Sequence, residues 1–137
     1  MVNVKFGFLA DYANQTGDGK VNAIGTFDRI FASEFPALQA HLALVLAFEV
    51  RAADAGQTKN IEVRLISEDG QPVAPPLTMS IVVPPPPAPA PVVTFWQAMN
   101  LRSVVFPAEG DYEFSVSVDG HQAYSVELHL QTIQGQG

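Results

Sequence analysis

Phe106-Pro-Ala-Glu-Gly-Asp-Tyr-Glu-Phe-Ser-Val-Ser-Val-Asp-Gly-His-Gln-Ala-Tyr-Ser-Val-Glu-Leu-His-Leu130 decides the fold class of this chain. Phe106, Tyr112, Phe114, Val116 and Val118 fall on one side of an extended segment. Glu113, Ser115 and Ser117 fall on the other. Asp119-Gly120 supplies a two-residue turn whose residues tolerate positive φ. Beyond it, Tyr124, Val126, Leu128 and Leu130 repeat the alternation. Period-two patterning on both sides of an Asp-Gly turn predicts a β-hairpin lying on a core.

Working outward, the same alternation recurs. Val4, Phe6, Phe8, Ala10 and Tyr12 alternate with Asn3, Lys5, Gly7, Leu9 and Asp11, which predicts a first strand. Asn14 to Gly19 is a turn, and Lys20 to Phe27 a second strand. Asp28 to Gln39 lacks a clear period and reads as a long connection between sheets, with Phe31 and Phe35 capping the core. Leu42, Leu44, Leu46, Phe48 and Val50 form the most apolar face in the chain, and Ala43, Val45 and Ala47 make the opposite face apolar too. A strand apolar on both sides is expected to be central and partly covered. Ile61, Val63 and Leu65 alternate with Glu62 and Arg64 in a half-buried strand. Pro72, Pro75 and Pro76 place Leu77 to Val83 at a sheet edge. Val92 to Val105 resumes strand character, with Phe95 and Trp96 facing opposite ways.

The expected fold is therefore all-β: an antiparallel sandwich of seven to eight strands in one domain, residues 1–131, with a polar tail over 132–137. A chain of 137 residues buries about two-thirds of the surface its unfolded form exposes, enough to fold without metal or cross-links. It has no cysteine, so a disulfide framework and Cys-ligated metal are excluded. Seven Lys and Arg stand against fourteen Asp and Glu, a formal charge of −7 without a basic cluster. On that ground nucleic acid is not expected as a partner. Membrane insertion is not expected either, since no apolar run is long enough. Asp11 interrupts the early apolar residues, so they read as a strand rather than a signal peptide.

Glu109-Gly-Asp-Tyr112, followed by Phe114, resembles the start of strand F in immunoglobulin-type sandwiches. The resemblance implies that the Tyr112 hydroxyl ties the corner to upstream backbone, and that Phe114 stands where antibody domains carry a cysteine. Phe8-Leu-Ala-Asp-Tyr12, Asn22-Ala-Ile-Gly-Thr-Phe-Asp-Arg-Ile-Phe31, Phe35-Pro36 and the terminal hairpin, in that order, resemble a family of small uncharacterised bacterial proteins, each a single immunoglobulin-like sandwich. The resemblance covers most of the chain apart from residues 84–91. It implies a bacterial, cytoplasmic protein and supplies no activity, cofactor or catalytic residue.

The sharpest functional candidate is the segment 84–91, in which Pro84, Pro85, Pro86, Pro87, Pro89 and Pro91 make six prolines in eight residues. Such composition favours polyproline II, about 3.1 Å per residue or roughly 25 Å in all. A rod of this kind is pre-ordered and docks into aromatic grooves. The plainer role is a stiff loop between strands. Trp96 faces away from Phe95 and is a second candidate, covered by the proline rings or open to a partner. His41, His121 and His129 show no metal-ligand spacing. No nucleophile elbow surrounds any serine. The expected function is a non-catalytic protein-interaction or assembly subunit, using edge strands and residues 84–96, with a protein partner or a second copy. The alternative is a small-ligand or carbohydrate-binding module, with Trp96 or Tyr12 lining its pocket.

Overall fold

A computed structural model describes residues 2–85 and 92–133 of the chain. The described residues form nine strands and one turn of 3-10 helix. The strands are β1 (Asn3–Gln15), β2 (Val21–Phe27), β3 (Arg29–Ala32), β4 (Ala37–Arg51), β5 (Thr58–Ser67), β6 (Leu77–Val82), β7 (Val92–Phe106), β8 (Gly110–Val118) and β9 (His121–Thr132). A four-stranded sheet has the order β2-β1-β4-β7, and a five-stranded sheet the order β3-β9-β8-β5-β6. The sequence led us to expect seven to eight strands. The addition is β3, inside the segment read as a connection. Four residues are too few to show a period, and β3 exists because it pairs in parallel with β9.

The main core lies between the sheets. Leu42, Leu44, Leu46, Phe48 and Val50 of β4 meet Ile61, Val63 and Leu65 of β5, Phe114 and Val116 of β8, and Val126 and Leu128 of β9. The terminal hairpin pairs Phe114 with Val126 and Tyr112 with Leu128. Asp119 and Gly120 turn it with φ of 50° and 83°, as a tight hairpin turn requires. The Asp119 carboxylate accepts a bond from the Asn60 amide at 2.9 Å and lies 3.4 Å from Lys59 Nζ. The amide bond chiefly, then Lys59, holds its pKa below the ordinary aspartate value. A lowered folded-state pKa stabilises the fold above the unfolded-state value, and that stability is lost as pH falls through the folded-state value. The urea midpoint of the protein should therefore fall on acidification below about pH 4, and fall less in Asp119→Asn. An identical acid response in both would detach this carboxylate from the stability of the turn.

The face of β4 turned away from the main core is also covered, by its own sheet. In a flat sheet, β1 and β7 would be about 10 Å apart with β4 between them, and β2 farther still. Both touch β7 directly. The sheet is rolled so that the end of β1 reaches the free edge of β7. There the Gln15 amide donates to the Trp96 carbonyl at 2.9 Å and its oxygen accepts from the Ala98 amide at 3.1 Å. Inside the roll, Ala13, Ala43 and Val45 are buried with Phe8, Val21, Ala23, Trp96 and Ala98 around them. Alanine at four of these positions leaves room for the strands to close. Replacing Gln15 by alanine should cost about 1–2 kcal/mol, because two edge groups lose their partner. It should also red-shift the emission of Trp96, the only tryptophan. Unchanged emission and stability would show that the roll does not depend on this side chain.

Two breaks in the strand period decide which residues face out. The register of β1 on β4 shifts between Val4 and Phe6, so Val4 packs on the main core while Phe6 and Phe8 lie on the other face. Ser103 adopts a left-handed backbone, φ 55°. Leu42 and Leu101 face the core on one side of it, and Val104 and Phe106 on the other. The neighbours Leu38 and Val105, opposite each other across β4 and β7, are thereby turned to the outside.

Candidate functional site

The break at Ser103 borders a groove of mixed apolar and polar lining. β3 and the link to β4 carry Phe31 and Pro36 to one side, the start of β4 carries Leu38, and the end of β9 carries Ile133. Together with the floor residue Phe106 and the polar residues Ser33, Glu34 and Gln39 they line a hollow of about 520 Å³. Phe31 is 57% exposed, Leu38 65%, Ile133 51% and the adjoining Val105 48%. Large apolar side chains gathered at one place on a small domain mark a contact surface more than scattered ones do. Phe31 was expected to cap the core. Instead its neighbour Ile30 packs inward and Phe31 is left outside, while Phe35 does pack on the core.

The groove also borders β3, which is an edge strand without a partner on its outer side among the described residues. The carbonyls of Asp28, just before β3, and of Ala32 at its end accept from the His129 and Ile133 amides at 2.9 and 2.8 Å. By the alternation of a strand's backbone groups, those of Arg29 and Phe31 point away from β9, to the free side.

The residues singled out in the sequence lie elsewhere. Pro84 is half-buried and Pro85 exposed. Pro86, Pro87, Pro89 and Pro91 lie outside the described residues. Val83 is fixed before them by backbone bonds with Gln57 and Gly56, both 2.9 Å. Val92 follows them, paired with Arg51. Trp96 is half-buried in the rolled sheet. Its ring meets Phe6 edge-on, with centroids 5.5 Å apart, and Phe6 stacks on Phe8. Phe95 points the other way, onto Phe48. Tyr12 is exposed beside His41. Tyr112 donates its hydroxyl to the Ala108 carbonyl at 2.5 Å and packs edge-on to Phe106, and Phe114 is fully buried.

Two further hollows open on the outer face of the five-stranded sheet. One, about 700 Å³, is lined by Asn60, Glu62, Arg64, Thr78, Ser80 and Ser117 among others. Its polar groups are largely engaged with one another: Ser80 bonds Asn60 at 2.9 Å and Arg64 pairs with Glu62. No aromatic ring lines it. The second, about 280 Å³, holds His129 with Nδ1 2.6 Å from the Asp111 carboxylate. The carboxyl groups of Glu68, Glu113 and Glu127 surround it. Ser67 at its rim is engaged by the Gln71 amide in the turn after β5. His41 Nδ1 lies 2.8 Å from the Asp11 carbonyl oxygen, which only accepts, so this nitrogen carries the proton and donates. Among the described residues no group of three or more His, Cys, Asp or Glu is placed to hold a metal ion, and no helix is long and apolar enough to cross a membrane.

These features define an all-β domain of two facing sheets, one of them rolled, with a groove open at one end. The chain belongs to a family of unknown function (DUF6941), whose model matches residues 5–131. No curated protein matches it. Among solved structures it is similar to the alkylpurine DNA glycosylase AlkC of Pseudomonas fluorescens bound to DNA containing an abasic site analog. The identity is 14% and the TM-score 0.52, over 95% of this chain and 30% of that one. The chain thus spans about a third of that protein's length.

This likeness corrects the expectation that set nucleic acid aside. Net charge sums over a whole chain and describes no single face of it. A chain of similar shape occurs in a protein whose structure was solved on DNA.

Proposed function

We propose that this protein is a non-catalytic interaction or assembly module of immunoglobulin-like architecture, binding through the groove between β3 and the start of β4. The observation that carries the reading is the exposure of Phe31, Leu38 and Ile133 around one hollow, with Val105 paired beside Leu38. The free backbone groups of β3 add a second means of attachment, since an extended partner segment can join an exposed edge. The Tyr112 corner supports the immunoglobulin-like part of the reading. The proline-rich segment is retained as an interaction element, while Trp96 serves the rolled sheet and is not assigned to the contact.

Leu38→Asp places a charge among the exposed apolar side chains of the groove, adds to that of Glu34, and leaves the buried core untouched. It should weaken association at least tenfold, read by sedimentation velocity of the purified protein and by recovery of its partners from the source cell. Thermal stability should change little, as expected of an exposed position. Undiminished association would remove the groove from the interface.

The DNA-bound relative in shape favours a second reading, a module that contacts duplex DNA. It predicts binding of a labelled abasic-site duplex that weakens steeply as salt is raised, and that survives Leu38→Asp.

A further inference from the structure

We propose that the groove receives the proline-rich segment of a second copy of this chain, so that copies join head to tail. The inference rests on the groove being an interaction site and names its occupant.

The argument begins with where the two features lie. The proline-rich segment joins Val83 to Val92, which pairs with Arg51 at the far end of β4. The groove lies at the other end, where Ala37 pairs with Phe106. β4 has 15 residues between these ends, about 45 Å of strand. Eight residues span at most about 28 Å when fully extended. Tethered at both ends, they reach out only about half that distance. The segment cannot meet the groove of its own chain, so any contact between them joins two molecules.

Chemistry matches the two surfaces. From Ile81 to Val93 the chain carries no charged side chain, so the segment can approach a chain of charge −7 without like-charge repulsion. Proline-rich sequence is apolar and pre-ordered, and loses little entropy on docking. The groove offers an aromatic ring, Phe31, flanked by Pro36, Leu38 and Ile133, with Ser33, Glu34 and Gln39 in the same lining. Of these polar groups, Ser33 and Gln39 can donate to the backbone carbonyls of an extended segment. Because the two contact surfaces differ, the union is heterologous, and it propagates into a ring or an open filament rather than stopping at a two-fold dimer.

The test uses two variants of the full chain. In the first, residues 86–91 are replaced by a Gly-Ser linker of equal length. The second is Leu38→Asp. Sedimentation velocity between about 10 and 300 µM, a range set by the weak-to-moderate affinity of peptide docking, should show wild-type chains forming species larger than dimers. Each variant alone should remain monomeric. An equimolar mixture should form 1:1 dimers and nothing larger, since it holds one intact groove and one intact segment per pair. In parallel, a fluorescein-labelled peptide of residues 83–92 should bind wild type with an anisotropy change, and bind Leu38→Asp at least tenfold more weakly. Val105→Lys replaces Leu38→Asp if the latter does not fold.

Association retained by the linker variant but lost in Leu38→Asp would keep the groove as an interface and overturn the segment as its occupant. That is also the result expected if two β3 edges pair. Association retained in both variants would overturn both readings. A wild-type chain that stays monomeric and ignores the peptide would overturn self-assembly and leave the groove to other partners.

Discussion

Phe114→Ala lowers the free energy of unfolding by about 3–5 kcal/mol, the range for emptying an aromatic site in a packed core. Phe114 is fully buried. It stands in the middle of the five-stranded sheet, with Leu65 of β5 opposite on one side and Val126 of β9 on the other. Across the core it faces the apolar side of β4, one of the two longest strands. Its neighbours are held in paired strands, so they cannot collapse into the space that the ring leaves, and a rigid cavity is the costly kind. A small domain unfolds in one transition, so urea unfolding reads the loss directly as a lower midpoint. Phe31→Ala is the control, because the same side chain is removed from an exposed place. At concentrations where the protein is monomeric it should change stability by no more than about 0.5 kcal/mol. A loss below about 1 kcal/mol in Phe114→Ala, well under the range for such a cavity, would mean that the core is not organised around this ring.

The hairpin holding Phe114 was the most legible part of the sequence, and the reason is physical. Its pattern holds over two strands, interrupted only where the register shifts after Val116, and a two-residue turn fixes the register. β4 was legible for a related reason. Apolar residues on both its faces required two covers, and the structure has two, the facing sheet and the rolled edge of its own sheet. What covers the second face was not legible. It depends on Gln15 reaching Trp96 and Ala98 over more than eighty residues of chain, and one polar residue in a strand gives no sign of such a partner.

The groove was hidden by its own origin. Period-two reading assumes an unbroken strand. Carried through Ser103, it would place Val105 with Leu101 inside and Phe106 outside. The left-handed backbone at Ser103 reverses this, and serine carries no mark of that conformation as glycine would. Phe31 was hidden differently. It belongs to a four-residue strand whose partner is about a hundred residues later, so no local signal distinguishes it from a loop residue. The features that expose apolar surface are thus those where local patterning and the finished sheet disagree, which is where functional sites tend to lie.

The same logic makes Gly7 a sensitive position, although it fell among the outward residues of the first strand. The shift after Val4 turns it inward. A Cβ built on Gly7 would lie 2.8 Å from Leu46 Cδ2, 3.1 Å from Val126 Cγ2 and 3.2 Å from the Val45 carbonyl oxygen. The first contact is within its own sheet and the second is across the core, so the glycine sets how closely β1 and β9 approach. Leu46 could swing aside to admit one methyl, but the Val45 carbonyl belongs to the sheet and cannot. Gly7→Ala should therefore cost about 1–2 kcal/mol, and Gly7→Val about 3 kcal/mol or more, since the added branches press on both sheets. A β-branched residue ordinarily favours a strand, so propensity alone predicts the opposite sign, and the experiment separates packing from propensity. Gly17→Val is the matched control, because a Cβ added there would meet no atom within 4 Å. Equal effects at the two glycines would mean that β1 does not approach β9 as closely as the packing of Gly7 against Val126 requires.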